Sequence, residues 1–232
     1  MQMKTIGLIG GLSWESTQVY YKYINTLTNS KLGGLNSAKI NICSLNFSEI
    51  EKLMFRNDWD SVANIIIESA LTLEKSGVDF ILICTNTVHK VFDLVQNSIN
   101  TPLIHIADAV GEQLNTLNIK KAGLLGTNFT MEQDFLVNRF QSKFDVDVLV
   151  PREDERKIIH SIIFDELCFG KILDNSRREF IRIINSLRHH GAEGVILGCT
   201  EIPLLVKDSD TNVRLFDSAL IHSAYAVKLA LE

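Results

Sequence analysis

The sequence predicts an α/β fold: two pseudo-symmetric α/β domains with mostly parallel sheets and a site in the cleft between them. Three observations predict it. Short runs rich in Ile, Val and Leu alternate with helical patterns along the chain, and such alternation builds parallel sheets. Two segments then repeat in the same order. Lys4-Thr5-Ile6-Gly7-Leu8-Ile9-Gly10-Gly11 parallels Lys120-Lys121-Ala122-Gly123-Leu124-Leu125-Gly126-Thr127 at a shift of 116, and Gly77-Val78-Asp79-Phe80-Ile81-Leu82-Ile83-Cys84-Thr85 parallels Gly191 to Cys199 at a shift of 114. Finally, 232 residues suffice for one large or two small domains, at roughly 150 residues per domain. Two similar halves would place the carboxyl ends of their strands at the cleft, where open α/β sheets bind ligands.

The elements follow in order. Thr5–Ile9 is the first strand, bounded by Gly10-Gly11. The helix after it carries Trp14, Tyr20, Tyr21 and Tyr23, read as packing or dimer surface rather than base stacking in an acidic chain. Lys39–Leu45 is the second strand. A helix with Val62, Ile65, Ile66, Ser69, Ala70 and Leu73 on one face leads to strand Phe80–Cys84, and Leu103–Ile106 comes next. Ala122–Leu125 and Val146–Val150 are strands of the second copy. A helix burying Phe180, Ile183, Ile184 and Leu187 precedes Val195–Leu197, and Arg214–Phe216 is the last strand. All are short, apolar and bounded by Gly or polar residues, the mark of buried parallel strands. The expected division is residues 1–103 plus 214–232 for the first domain and 104–213 for the second.

Composition excludes several classes. The net charge of −5, with no basic run, argues against nucleic acid and anionic membranes as partners. The first residues are too briefly apolar for a signal peptide, and no segment nears the ~18 unbroken apolar residues of a membrane span. A cytoplasmic location is expected. Cys43, Cys84, Cys168 and Cys199 lie far apart without a CxxC pair, so free thiols in a reducing compartment are expected. The histidines show no ligand spacing, and no metal is expected. Gly7-Leu8-Ile9-Gly10-Gly11 lacks the third glycine of a dinucleotide fingerprint and the Gly-Lys-Ser/Thr of a phosphate loop.

The chemistry gathers in Cys84-Thr85-Asn86-Thr87-Val88-His89 and Gly198-Cys199-Thr200-Glu201-Ile202-Pro203. Each follows a buried strand and opens a helix, where backbone N–H groups with Thr and Asn side chains suit a carboxylate. A thiol there sits near the positive helix end, which predicts a lowered pKa and a reactive Cys199. The commoner fate of cysteine is a small core thiol. His89 is read as supporting its helix, and His105 and His222 have no partner visible in the sequence.

Gly7-Leu8-Ile9-Gly10-Gly11, Asn86-Thr87-Val88-His89, Lys121 to Thr127 and Gly198-Cys199-Thr200-Glu201 resemble the aspartate/glutamate racemase family over nearly the whole chain. The resemblance implies a cofactor-independent, two-base amino-acid racemase, a homodimer acting on a small amino-acid substrate. In that family one cysteine stands on each side of the substrate α-carbon. It further implies that Asn86, Thr87, Thr127, Thr130 and Thr200, with Gly11 to Ser13 nearby, hold the α-carboxylate and α-amino group.

The chain departs from the family at one catalytic position. Where the family reads Cys-Asn-Thr, this chain reads Thr85-Asn86-Thr87, with Cys84 one residue earlier. The internal repeat also equates Thr85 with Cys199. Neighbouring residues at a strand end point to opposite faces, so Cys84 is expected to turn away; a bulge would reverse this, leaving Cys84 as the alternative to Thr85. Threonine is a far poorer base than a thiolate, which leaves Cys199 as the competent base; the resemblance implies that its half deprotonates the L-enantiomer, and hence a preference for L-substrates with slow turnover from the D side. Two basic residues grip the side-chain carboxylate in the aspartate-specific branch, but Glu51 and Cys168 occupy their places here, with Lys52, Arg56 and Lys171 adjoining. Aspartate or glutamate is the first expectation by the weight of the family resemblance, and a neutral polar amino acid such as homoserine, or broad specificity, the competitor. A single-thiol decarboxylase or isomerase of the same superfamily and a non-catalytic binder of small acids are the other readings.

Overall fold

The computed structural model describes residues 3–232. The chain forms two compact units, one reaching Ile106 and resuming at His222–Glu232, the other Ala107–Ile221. Each is built on a four-stranded, fully parallel sheet.

In the first unit β1 (Thr5–Gly10), α1 (Trp14–Leu32), β2 (Lys39–Ser44), α2 (Phe47–Phe55), α3 (Trp59–Lys75), β3 (Phe80–Ile83), α4 (Phe92–Gln96) and β4 (Leu103–Ile104) follow in order. The sheet order is β2-β1-β3-β4. Helix α5 (Ile106–Thr116) begins at the end of this unit. The second unit continues with β5 (Lys121–Leu125), α6 (Asn128–Glu132), α7 (Asp134–Phe144), β6 (Asp147–Leu149), α8 (Glu153–Asp165), α9 (Asp174–His189), β7 (Gly194–Leu197), α10 (Ile202–Leu205), β8 (Arg214–Asp217) and α11 (Ser218–Leu231). Its order, β6-β5-β7-β8, repeats that of the first sheet.

All eight predicted strands are present, and the repeat has a physical basis. The repeated segments are the two central strands of each sheet, β1 with β3 and β5 with β7, buried on both faces and therefore apolar beyond the half-buried Thr5 and Lys121 that open β1 and β5. Edge strand β2 alternates exposed and half-buried residues instead. The glycines ending β1 and β5 share a packing device. A Cβ on Gly10 would come within 2.5 Å of Thr17 Cγ2, and one on Gly126 within 2.9 Å of Thr130 Cγ2. In both halves a threonine from the next helix seats on the strand end, and only glycine leaves the room.

Two boundaries differ from expectation. Ile106 opens α5 rather than ending a strand, so the first stretch of chain passes residue 103 and ends at Ile106. The segment 214–221 belongs to the second unit, because β8 pairs with β7 in register from Gly194↔Arg214 to Leu197↔Asp217.

The second core gathers Phe180, Ile183, Ile184 and Leu187 of α9 with Ile159, Ile163, Val195 and Leu197. Phe180 has no exposed surface. Phe180→Ala is expected to cost about 3–5 kcal/mol, from lost transfer energy and the cavity left behind, read as a lower urea midpoint at unchanged m-value. On α1, Tyr20 is wholly buried while Trp14 and Tyr21 are exposed. Among the described residues, no helix is long and apolar enough to cross a membrane.

Candidate active site

In the first unit the predicted residues meet at the carboxyl ends of neighbouring strands β1 and β3. Cys84 continues β3: its N–H donates to the Ile9 carbonyl at 2.9 Å, and its carbonyl accepts from the Ser16 hydroxyl at 2.5 Å. The Cys84 side chain lies wholly in the core, and that burial pushes its thiol well above the usual range. Thr85, one residue on, is partly exposed. Asn86 and Thr87 follow, both buried, at the start of a 3-10 turn, Thr87–Val91.

Beside them the chain leaves β1 through Gly11, whose φ of +73° lies in the region glycine tolerates. A Cβ there would fall 2.1 Å from the Leu45 carbonyl oxygen. The Gly11 N–H donates to Thr17 Oγ1 at 2.8 Å, and Ser13 Oγ caps α1 by accepting from the Ser16 N–H at 3.2 Å.

A group of buried histidines lies behind this edge. His89 Nδ1 donates to the Thr85 carbonyl at 2.7 Å, and its Nε2 accepts from the Ile106 N–H at 3.1 Å. One nitrogen donates and the other accepts, which defines a neutral imidazole tying the end of β3 to the start of α5. His222 has partners the sequence did not reveal: its Nδ1 accepts from the Tyr20 hydroxyl at 2.9 Å, and its Nε2 donates to the Ile104 carbonyl at 3.1 Å. The His105 ring is also buried, 4.6 Å from those of His89 and Phe92.

In the second unit the corresponding residues stand at the ends of β5 and β7. Thr127 and Thr130 are buried with their hydroxyl oxygens 3.3 Å apart, and the Thr127 carbonyl accepts from the Thr130 N–H at 2.9 Å. Thr130 has no exposed surface and lies beneath Gly126 and Gly198. Cys199 is partly buried against the core of this unit. Its Sγ–H donates to Glu201 Oε2 at 2.9 Å, and the Thr200 hydroxyl donates to the same oxygen at 2.9 Å.

This geometry corrects the expected electrostatics of Cys199. Burial first, and then the negative charge of Glu201, push the thiol well above its ordinary value, so the protonated form is favoured. The helix expected to lower it is only the four-residue α10, beginning three residues later. So short a helix carries little macrodipole. Glu201 was present in the motif but given no role; its two-residue spacing from Cys199 was the available signal.

Glu51 lies in α2 and is half-buried, with Lys52 and Arg56 exposed near the helix end. Cys168 is exposed in the turn Leu167–Phe169, and Lys171 is exposed just beyond it. Among the described residues, no group of three or more His, Cys, Asp and Glu is arranged to hold a metal ion.

Two α/β units, each on a four-stranded parallel sheet of the same strand order, are consistent with the two-domain Asp/Glu racemase fold. Residues 9–226 match the Asp/Glu/Hydantoin racemase family, and the chain belongs to it. This membership groups it with amino-acid racemases among the isomerases. It is 28% identical over 219 residues to the broad specificity amino-acid racemase RacX of Bacillus subtilis (strain 168), covering 92% of each chain. A candidate Asp/Glu racemase from Yersinia pestis shares 44% identity and superimposes with a TM-score of 0.94, over 99% of this chain and 100% of that one. The aspartate racemase homologue PH1733 from Pyrococcus horikoshii OT3 shares 40% identity with a TM-score of 0.87, over 99% and 100%.

Proposed function

We propose that the protein is a cofactor-independent amino-acid racemase that exchanges the α-proton by a two-base mechanism, with Cys199 as base for the L-enantiomer and Thr85 opposite. The observation that carries this reading is the equivalence of Thr85 and Cys199 in the internal repeat. Each stands two residues beyond a central strand, β3 or β7, and each is partly exposed, whereas Cys84 is sealed in the core. Asn86, Thr87, Thr127 and Thr200 are the groups for the α-carboxylate and α-amino group, with Gly11 and Ser13 beside the first pair. Thr130, expected among these groups, has no exposed surface, and its hydroxyl lies 3.3 Å from that of Thr127, which it supports from beneath.

The asymmetry of the pair has a kinetic signature. The Cys199 thiolate removes the α-proton of an L-amino acid, leaving a carbanion that recovers a proton from Cys199 or from the Thr85 side. Threonine is a weak base and a slow donor, so return from Cys199 dominates. Racemisation has an equilibrium constant of one, which makes kcat/KM for net conversion equal in both directions. The bias therefore appears as rapid α-hydrogen exchange with retention in L-substrates and slow exchange in D-substrates.

For the side chain, aspartate or glutamate follows the family. A neutral polar or broad range of substrates is favoured by one specific observation: Glu51 and Cys168 carry no positive charge where the acidic-substrate branch has two cations. The reading includes a cytoplasmic homodimer, to be tested by sedimentation and cell fractionation.

The decisive experiment is proton NMR of L- and D-aspartate, glutamate, homoserine and alanine with the protein in D₂O. Loss of the α-proton signal, faster from L, with slow appearance of the other enantiomer on a chiral column, is expected. Equal exchange from both enantiomers would remove the role given to Thr85. No exchange with any of these amino acids would replace the racemase with a decarboxylase, an isomerase or a small-acid binder, binding without exchange marking the last.

A further inference from the structure

We infer that Glu201 is a catalytic partner of Cys199, accepting the proton of its thiol and returning it, so that the two side chains act as a one-proton pair. Three observations carry this. The Cys199 Sγ–H points at Glu201 Oε2 over 2.9 Å, and an ionised carboxylate can only accept there. The Thr200 hydroxyl donates to that same oxygen and holds it in place. Glu201 is 8% exposed, so water competes little for the carboxylate. The local chain makes the approach possible: the Ile202 N–H donates to the Cys199 carbonyl at 3.2 Å, closing a turn that folds Glu201 back over the thiol.

The proton count is closed. At rest the pair holds one proton on sulfur and one negative charge on the carboxylate. Transfer breaks S–H, forms O–H and leaves thiolate beside a neutral acid, with the net charge unchanged. The thiolate then takes the α-proton of the L-substrate, and the negative charge passes to the carbanion. Without the transfer, thiolate and carboxylate would share a buried place as like charges. Within the same unit the titratable groups acting on Cys199 are the Glu201 carboxylate, at the start of α10, and Cys168, in the turn Leu167–Phe169, which disfavour the thiolate, while the Glu201 backbone N–H favours it.

The catalytic consequence rests on the reading of Cys199 as base, whereas the pairing is measurable without turnover. Iodoacetamide alkylation of Cys199, followed peptide by peptide by mass spectrometry across pH, reports the thiolate directly. In Glu201→Gln the rise in alkylation is expected to move down by about one pH unit or more, since the like charge is gone. L-substrate exchange should be nearly flat with pH around neutrality in the wild type, because the proton moves within the pair. In Glu201→Gln it should instead climb with pH until the thiol has titrated. An alkylation profile unmoved by Glu201→Gln, or exchange profiles that stay parallel, would overturn the inference. If the Gln variant does not fold, Glu201→Asp, which withdraws the carboxylate by one methylene, is held to the same downward shift in alkylation. Absence of any exchange in the wild type would sink the racemase reading while the alkylation result still decides the pairing.

Discussion

Cys199→Ser is expected to abolish α-hydrogen exchange from L-substrates, lowering it by about 10³-fold or more in the D₂O assay. A serine hydroxyl is nearly the same size, so the hydrogen bond to Glu201 and the packing against the second core can both persist. What disappears is basicity: an alkoxide is far harder to form than a thiolate, and a carboxylate partner cannot generate it at neutral pH. The thermal midpoint should therefore stay within a few degrees of the wild type. Exchange within about tenfold of the wild type would mean that the base lies elsewhere.

Thr85→Cys makes the complementary change. It places a thiol at the strand end equivalent to that of Cys199, and exchange from D-substrates should rise on the order of 10²-fold, within the usual range for a positioned acid or base. Net racemisation should rise with it, because the slow proton delivery on that side is relieved. The matched control is Cys84→Ala, which removes a core thiol with no path to substrate and should alter exchange little. Loss of activity in Cys84→Ala with normal activity in Thr85→Ala would reverse the assignment.

Most of the fold was legible because its central strands are buried on both faces. Ile6, Leu8 and Ile9 of β1 and Leu124 and Leu125 of β5 have no exposed surface, and burial of that kind forces apolar runs that repeat visibly. The place of Arg214–Asp217 was not legible. That strand contributes only an edge to its sheet, and its pairing with Gly194–Leu197 is a long-range backbone match without a side-chain signature. The same distinction holds at the candidate site. The equivalence of Thr85 and Cys199 follows from the internal repeat, and the inward turn of Cys84 from strand periodicity. The protonation of Cys199 depends first on its burial and then on a carboxylate folding back through a turn, and the partners of His222 lie 118 and 202 positions away. Contacts of that kind leave no local pattern.

The return of the chain at His222 has a consequence for biosynthesis. The second unit is one continuous stretch, Ala107–Ile221, and its last strand, β8, is synthesised before His222–Glu232. The first unit is translated first but finished last. His222 supplies the buried bridge between Tyr20 and Ile104, Ala226, Val227 and Ala230 fill its core, and the Ala230 carbonyl accepts the Lys4 N–H at 3.0 Å. Nascent β1 to β4 must wait through more than a hundred codons with apolar surface uncovered, so loss of His222–Glu232 would leave the first unit incomplete rather than the second.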